Sequence, residues 1–155
     1  MKAVSEKLGM DVCKALPALH AFTGCDTTSA FAYRGKKAAL SIVQGDTVAG
    51  AAAREVFTSV GKQFQSLSTE SLAALEKFVC AYYKVPHCSS VNSARYELFC
   101  TRNAQSNQLP PCRDALVKHS ARANYQAAIW RRCLEPCPVI PLPHENGHGW
   151  CLTGD

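Results

Sequence analysis

The stretch LPALHAFTGCDTTSAFAYRGKKAAL occupies residues 16–40. Its apolar beginning predicts a short helix over 14–22 that ends near Gly24, since glycine commonly terminates helices. A polar Asp-Thr-Thr-Ser step follows, and Lys-Lys-Ala-Ala-Leu then begins a second predicted helix over 36–44. We therefore predict a helix-hairpin-helix-like segment over 16–44, with a tight glycine-bearing bend between its two helices.

Such a segment has the chemistry to bind a nucleic-acid backbone. Glycine lets a phosphate approach the main chain, and the N-terminus of the second helix offers free amides. Lys36 and Lys37 add positive charge at that helix start. These contacts position a nucleic acid without reading its sequence. The competing interpretation is a solvated helix start, in which both lysines face only water.

The remaining chain also has helical patterns, and no segment alternates with the period of a strand. We predict helices over 46–64 with Asp46 as cap, from Ser68 or Thr69 to about 83, from Asn92 for about ten residues, and over 112–134. The sequence thus predicts an all-α fold, a compact bundle of five to six helices. Its helical domain would be 1–134, and 135–155 would form an irregular, proline-rich tail.

Composition limits the class of protein. The chain has 155 residues, with 17 Lys and Arg against 12 Asp and Glu, so its formal net charge is +5. This mild excess permits a polyanionic partner without requiring one. No stretch of about 18 uncharged apolar residues is present, and the start lacks a secretory signal pattern. We expect most of the nine cysteines to be reduced, a nuclear or cytoplasmic location rather than secretion, and no membrane contact.

Residues 16–44 resemble the flap-endonuclease superfamily, the PIN-like metal-dependent nucleases. Their Leu-Gly-Cys-Asp-Tyr segment precedes a Gly-apolar-Gly hairpin and a Lys-x-Ala helix. The run 16–31, with Arg-Tyr-Glu-Leu-Phe at 95–99 and Asn-Tyr-Gln-Ala-Ala-Ile-Trp at 124–130, is also similar to animal proteins related to transposable elements. The superfamily resemblance implies a metal-binding role for Asp26, as a vestigial magnesium ligand. It also implies DNA-backbone contacts at the hairpin.

Three departures from the family pattern decide which activity we expect. Tyr33 stands where the family has its first hairpin glycine, and Arg34 replaces the apolar residue. No Asp-x-Asp cluster precedes Asp26, although two-metal cleavage needs several carboxylates. We therefore expect a non-catalytic C-terminal part of a nuclease-like protein, with a missing N-terminal nuclease half as its partner. The alternative role for Asp26 is a turn or helix cap.

A second candidate site lies in the tail. Its five members are zinc-type ligands, four of which could close a tetrahedral site. They are Cys133, Cys137, His144, His148 and Cys151. The alternative for the tail is a chance pattern in a cysteine-rich and proline-rich segment. A weaker group is Cys80, His87 and Cys88, and an inert, packed thiol is the default for Cys80. The Cys–His pairs His20 with Cys25 and Cys112 with His119 carry no activating pattern.

The function we expect from the sequence is therefore a non-catalytic, sequence-independent nucleic-acid-binding remnant. The candidate contacts are Tyr33, Arg34, Gly35, Lys36 and Lys37. The alternative is a protein interaction module, or a non-functional coding fragment, without DNA binding. The two differ in salt dependence, because DNA binding releases counterions and weakens steeply as salt rises.

Overall fold

Seven α-helices and one short 3₁₀ helix make up the regular structure of the computed structural model, which describes residues 2–145 and 147–152. Side chains are described from Ser5 onward. Within those ranges no strand occurs, so the all-α prediction is confirmed. The helices are α1 Lys2–Leu8, α2 Met10–Phe22, α3 Lys36–Gln44, α4 Val48–Ser59, α5 Thr69–Tyr82, α6 Val91–Arg102 and α7 Arg113–Arg131, and the 3₁₀ turn is Ser106–Gln108. The predicted five to six helices undercount them, because the polar start also forms a helix.

Phe22, at the end of α2, lies at the centre of the core. Its ring is fully buried and lies 5.3 Å from the Phe31 ring, 5.4 Å from Phe57 and 6.0 Å from Phe78. Helix α2 packs between α4 and α7, so its apolar residues face both neighbours. Aromatic clusters of this kind bury much apolar area and favour edge-to-face contacts. Residues 16–40 therefore contribute the centre of the hydrophobic core through Phe22 and Phe31.

The N-caps of α4 and α6 lie one and two residues, respectively, from the caps that the sequence predicts. Thr47, not Asp46, is the N-cap of α4, because its hydroxyl accepts a hydrogen bond from Gly50 N at 3.0 Å. Ser90, not Asn92, caps α6 in the same way. A Ser or Thr hydroxyl one residue from the helix competes well with Asp or Asn, since all four side chains satisfy the free amides.

The predicted helix over 46–64 ends early, at Ser59, because of Gly61. This glycine has φ +81°, and a Cβ there would lie 2.6 Å from Ala127 Cβ. Its backbone also donates to Asn124 Oδ1 at 2.8 Å. The close approach of the chain to α7 thus requires a glycine in a left-handed conformation, which helix continuation would not allow.

Residues 132–145 and 147–152 contain turns and no helix, and part of this tail packs on α7. Tyr125 donates to the Pro141 carbonyl at 2.9 Å, and its ring lies 5.5 Å from Trp150. Arg122 donates to the Gly149 carbonyl at 2.9 Å. Within the described chain, no helix is both long and apolar enough to cross a bilayer.

Candidate functional site

The C-terminal end of α2 carries a dense group of side-chain hydrogen bonds. The Lys36 ammonium donates to the carbonyl of His20 and the hydroxyl of Thr23, each at 3.1 Å, and to the carbonyl of Gly24. A cation suits this position, because unpaired carbonyls give a helix C-terminus partial negative charge. Burial lowers the pKa of Lys36, although its neighbour Cys25 opposes that effect. Lys36 therefore fastens the start of α3 to the end of α2.

Other side chains complete the capping of α2. The Thr23 hydroxyl donates to the Leu19 carbonyl at 2.7 Å, and the Thr28 hydroxyl donates to the Ala21 carbonyl at 2.5 Å. His119, from α7, places Nε2 2.7 Å from the Phe22 carbonyl. Burial lowers the pKa of His119, while the hydrogen bond to Phe22 partly opposes it. Thr23 and Thr28 thus donate hydrogen bonds to backbone carbonyls at the C-terminal end of α2.

The connection over 23–35 is longer than the tight bend we predicted. Gly24 has φ +108°, and a Cβ there would lie 2.7 Å from Ala30 Cα, so the chain doubles back closely at this residue. Cys25 and Thr28 pair through both backbone bonds, at 3.0 and 3.3 Å. Two helices do flank the segment, but a compact loop with its own hydrogen bonds separates them.

The five residues of the predicted nucleic-acid contact have different environments. Gly35 is the N-cap of α3 at φ −98°, and nothing lies within 4 Å of a Cβ built there. Tyr33 is 73% exposed and has φ +57°. Lys36 and Lys37 are both exposed and both border a groove between α2 and α3, but of the two only Lys36 is hydrogen-bonded to the end of α2 in the described chain. The left-handed conformation therefore occurs at Tyr33, the position where the resembling family has a glycine.

Arg34 contributes to a cationic surface formed by three segments. Its guanidinium lies 4.5 Å from the centroid of the Tyr83 ring, a cation–π contact. Asn107 Nδ2 donates to the Tyr33 hydroxyl at 3.4 Å, and Arg102 Nη2 donates to the Lys84 carbonyl at 3.4 Å. We call Tyr33, Arg34, Lys84 and Arg102 the basic surface.

The charges of the basic surface have no ion-pair partners within 4 Å in the part of the chain described. Ion pairs there join Lys14 with Asp11, His87 with Glu97, and Arg113 with Glu76. Burial raises the pKa of Tyr83, and the positive charge of Arg34 opposes that shift. Glu97 is an acidic neighbour, but its pKa is lowered mainly by its bonds to His87 and Cys88, with a smaller effect from Arg102. The surface therefore retains net positive charge.

Asp26 stands apart from other potential metal ligands in the described ranges, so its role as a vestigial magnesium ligand stays a prediction. It is exposed in the turn after Gly24. Over the described ranges, no set of three His, Cys, Asp or Glu donors gathers around it. Its side chain makes no hydrogen bond in those ranges, so the predicted capping role has no support either. A single exposed carboxylate lacks the partners that a catalytic metal pair requires.

The five tail residues are not brought together. Cys133, Cys137, His144 and Cys151 are exposed, and His148 is buried. No three of these residues place ligand atoms within 4.8 Å of one another. His148 lies against Tyr125, with ring centroids 4.8 Å apart, and its Nε2 is buried without a hydrogen-bond partner in the described chain. The zinc hypothesis for the tail stays a prediction.

The connection between α5 and α6 does bring potential ligands together. His87 Nε2 lies 2.7 Å from Glu97 Oε2, and the Cys88 thiol lies 3.2 Å from the same oxygen. The ligand atoms of all three side chains lie within 4.8 Å of one another. Cys80 is not part of this group. It is buried beneath the connection, and burial raises its pKa to about 11.

Sequence reasoning missed Glu97, whereas the packed, inert thiol expected for Cys80 agrees with its full burial. Glu97 follows Cys88 by nine positions, across a turn and two helical turns, so no short motif joins them. The available signal was proximity along the chain. The helix predicted from Asn92 begins four residues after Cys88, and Glu97 lies in the second turn of that helix. A helix position that faces the entering chain is a reasonable place to seek a third ligand.

The other Cys–His pairs are structural. The His20 ring stacks on Trp130, with ring centroids 5.2 Å apart. The Nε2 atom of His119 is hydrogen-bonded to the Phe22 carbonyl. Burial raises the pKa of Cys25, and hydrogen bonds with Thr27 and Thr28 outweigh this to lower it. All nine cysteines are free. No nucleophile–base pair is therefore assembled by these residues.

Comparison with known proteins does not assign the chain to a family. No family model matches it, and neither a curated protein nor a solved structure shows significant similarity. Its function must consequently be inferred from its own surfaces and side-chain clusters.

Proposed function

We propose that this chain binds the sugar–phosphate backbone of nucleic acids, without sequence preference and without cleaving it. The observation that supports the proposal is the basic surface. The α2–α3 connection, the end of α5 and the end of α6 each contribute to it, and no carboxylate lies within ion-pair distance of its cations in the described ranges. Phosphate contacts of this kind supply most non-specific affinity.

Arg34 is the central contact of the proposed interface. Its guanidinium stacks on the Tyr83 ring, which orients the guanidinium plane. Its Nε is buried without a hydrogen-bond partner in the described chain, so the terminal nitrogens are the donors that we propose for phosphate oxygens. Tyr33 is exposed beside it and can stack on an unpaired base. The interface therefore retains Tyr33 and Arg34 from the sequence hypothesis and adds Lys84 and Arg102. The proposed interface leaves out Lys36, because its ammonium is hydrogen-bonded to the end of α2.

The isolation of Asp26 among the described residues supports the non-catalytic part of the proposal. Cleavage of a phosphodiester by the metal mechanism of the resembling family would need further carboxylates beside it. We therefore expect flap-structured DNA incubated with the chain and Mg²⁺ to remain intact. Any relation to a nuclease half would then concern DNA positioning, which the basic surface can perform alone.

Fluorescence anisotropy with labelled duplex and flap DNA tests the proposal. We expect affinity at low salt that falls steeply as salt rises, equally for unrelated sequences. Arg34→Ala and Arg102→Ala should each reduce the slope of log affinity against log salt by about one. Lys62→Ala is the matched control, since Lys62 is exposed near the C-terminal ends of α4 and α7. Absence of low-salt affinity, or an equal loss in the control, would contradict the proposal.

Exposed apolar residues in the tail favour a second candidate function, protein interaction. Leu134 is 93% exposed and Val139 is 86% exposed, and Leu142 and Leu152 are also exposed. Apolar groups grouped on a surface are typical of interaction sites. Light scattering after size exclusion would test this alternative. It would be favoured over nucleic-acid binding if the chain does not bind DNA but self-associates, and if Leu134→Ser combined with Val139→Ser abolishes that self-association.

A further inference from the structure

We propose that His87, Cys88 and Glu97 form a binding site for one transition-metal dication of the zinc class, with three protein ligands and a fourth position open to solvent. This inference is independent of nucleic-acid binding, because it concerns different side chains. It also differs from the predicted tail site, with which it shares no residue.

The spacing of the ligand atoms suits a small dication. Zinc binds sulfur at about 2.3 Å and nitrogen or oxygen at about 2.0–2.2 Å, so tetrahedral ligand atoms lie about 3.3–3.7 Å apart. In this structure Glu97 Oε2 lies 2.7 Å from His87 Nε2 and 3.2 Å from Cys88 Sγ. These are hydrogen-bond distances. Replacing the shared protons with a metal requires each ligand to move by less than about 1 Å.

Two of the three ligands are held by the fold. Cys88 is half-buried against the core, and its amide donates to the Val85 carbonyl at 3.1 Å. Glu97 lies in the middle of α6, whose first amide, Val91 N, donates to the buried Glu76 at 2.9 Å. Donors on supported elements keep their geometry when a metal binds. His87, which is exposed, can adjust to complete the site.

The donor set selects the kind of metal. One thiol, one imidazole and one carboxylate suit zinc or cobalt, whereas magnesium and calcium prefer oxygen ligands throughout. A thiolate and a carboxylate would together neutralise the charge of a dication. Without metal, burial and the bond to Glu97 raise the pKa of Cys88. A bound cation reverses this preference, since coordination deprotonates a thiol.

The site has no fourth protein donor in the described ranges. No other His, Cys, Asp or Glu places a ligand atom within 4.8 Å of all three. Cys80 lies beneath the connection, and the amide of Val85 donates to its carbonyl at 2.9 Å. Three ligands with an open position are typical of sites that exchange water or bind an external ligand, rather than of closed structural zinc sites.

Cobalt spectroscopy can identify the thiolate that binds. The test uses the reduced full chain in which all five exposed cysteines are serine, namely Cys100, Cys112, Cys133, Cys137 and Cys151. This change also removes every thiol of the tail site. We expect one equivalent of Co²⁺ to produce a thiolate-to-metal charge-transfer band and tetrahedral visible bands, and Zn²⁺ to displace it.

Single changes in this background then assign the ligands. Cys88→Ser should abolish the charge-transfer band, and Glu97→Gln or His87→Gln should weaken Co²⁺ binding at least about tenfold. Cys25→Ser is the matched control and should leave the spectrum unchanged, while circular dichroism verifies the fold of each variant. The proposal is overturned if no band forms, if the band survives Cys88→Ser, or if Cys25→Ser removes it.

Discussion

The α2–α3 connection (23–35) and the α5–α6 connection (83–90) both carry dense groups of polar side chains, but they use them differently. In the first, Thr23, Thr28 and the adjoining Lys36 bind carbonyls at the end of α2. In the second, the His87 and Cys88 side chains bind Glu97 Oε2 near the surface rather than backbone carbonyls. The first group is therefore structural, and the second is available to a ligand.

This difference explains why a motif can look functional and yet serve the fold. A Gly-Cys-Asp-Thr-Thr-Ser run followed by two lysines has the residue types of a phosphate-binding hairpin. The same residue types are also those that cap a helix C-terminus and form a close turn. Whether the side chains have other partners decides between the two uses.

The largest expected effect comes from breaking the first connection at Gly24. A Cβ there would meet Ala30 at 2.7 Å while φ is +108°. Overpacking and backbone strain together should lower the free energy of unfolding of Gly24→Ala by about 3 kcal/mol or more. Urea denaturation measures the change.

Gly35→Ala is the control for that change, since a Cβ at Gly35 meets nothing within 4 Å and φ is −98°. We expect its free energy of unfolding to change by less than about 1 kcal/mol. Equal losses in the two variants would show that the close turn at Gly24 does not constrain the fold.

Acid should weaken the first connection through His119. Burial lowers the pKa of His119 below its ordinary value of about 6.5. The unfolded chain then takes up a proton that the folded chain does not, so this stability is complete above about pH 6.5 and is lost as the pH falls. The slope contributed by one such group approaches about 1.4 kcal/mol per pH unit.

Denaturation between about pH 7.5 and about pH 5 measures this slope. His119→Gln keeps a donor for the Phe22 carbonyl and removes the titration, so its slope should be smaller than that of the wild type. His20 and His148, whose pKa values burial also lowers, should supply the remainder. An unchanged slope in His119→Gln would contradict the assignment.

The two adjacent lysines give a smaller but sharper contrast. Lys36→Met removes the bonds to His20, Thr23 and Gly24, so it should lower the free energy of unfolding by about 1 kcal/mol. Lys37→Met should change it by less than about 0.5 kcal/mol, since Lys37 is exposed and its ammonium has no such bonds in the described chain. Chemical denaturation of both variants measures the difference. A larger loss for Lys37→Met would show that Lys37, rather than Lys36, supports the fold.

The smallest effect is expected at Tyr33. A left-handed φ of +57° costs a residue with a side chain about 1–2 kcal/mol, so replacing Tyr33 with glycine relieves this strain. The greater conformational entropy that glycine loses on folding offsets part of the stability gained. Tyr33→Gly should therefore raise the free energy of unfolding by about 0.5–1 kcal/mol. The thermal midpoint measures the shift. A decrease would show that the ring, through contacts such as Asn107, contributes more than the strain costs.

The sequence predicts the helices well and the partners of polar residues poorly. The helix over 36–44 has the bounds expected, because amphipathic spacing is local and Gly45 terminates it. The bond between Lys36 and the carbonyl of His20 spans sixteen positions and depends on how α3 docks on α2. The contact between Cys88 and Glu97 likewise depends on how the connection before α6 folds back on that helix. Local patterns do not encode either arrangement.

The central claim is that Lys36 has a structural role, through its hydrogen bonds to the end of α2. Exchange of the Lys36 ammonium protons with water tests this claim most directly. ¹⁵N-detected NMR of the lysine side chains should show a Lys36 ammonium signal that exchanges slowly and contacts the backbone near Gly24, with Lys37 exchanging fast. Equally fast exchange of the two lysines would contradict the claim and return Lys36 to the candidate nucleic-acid contacts.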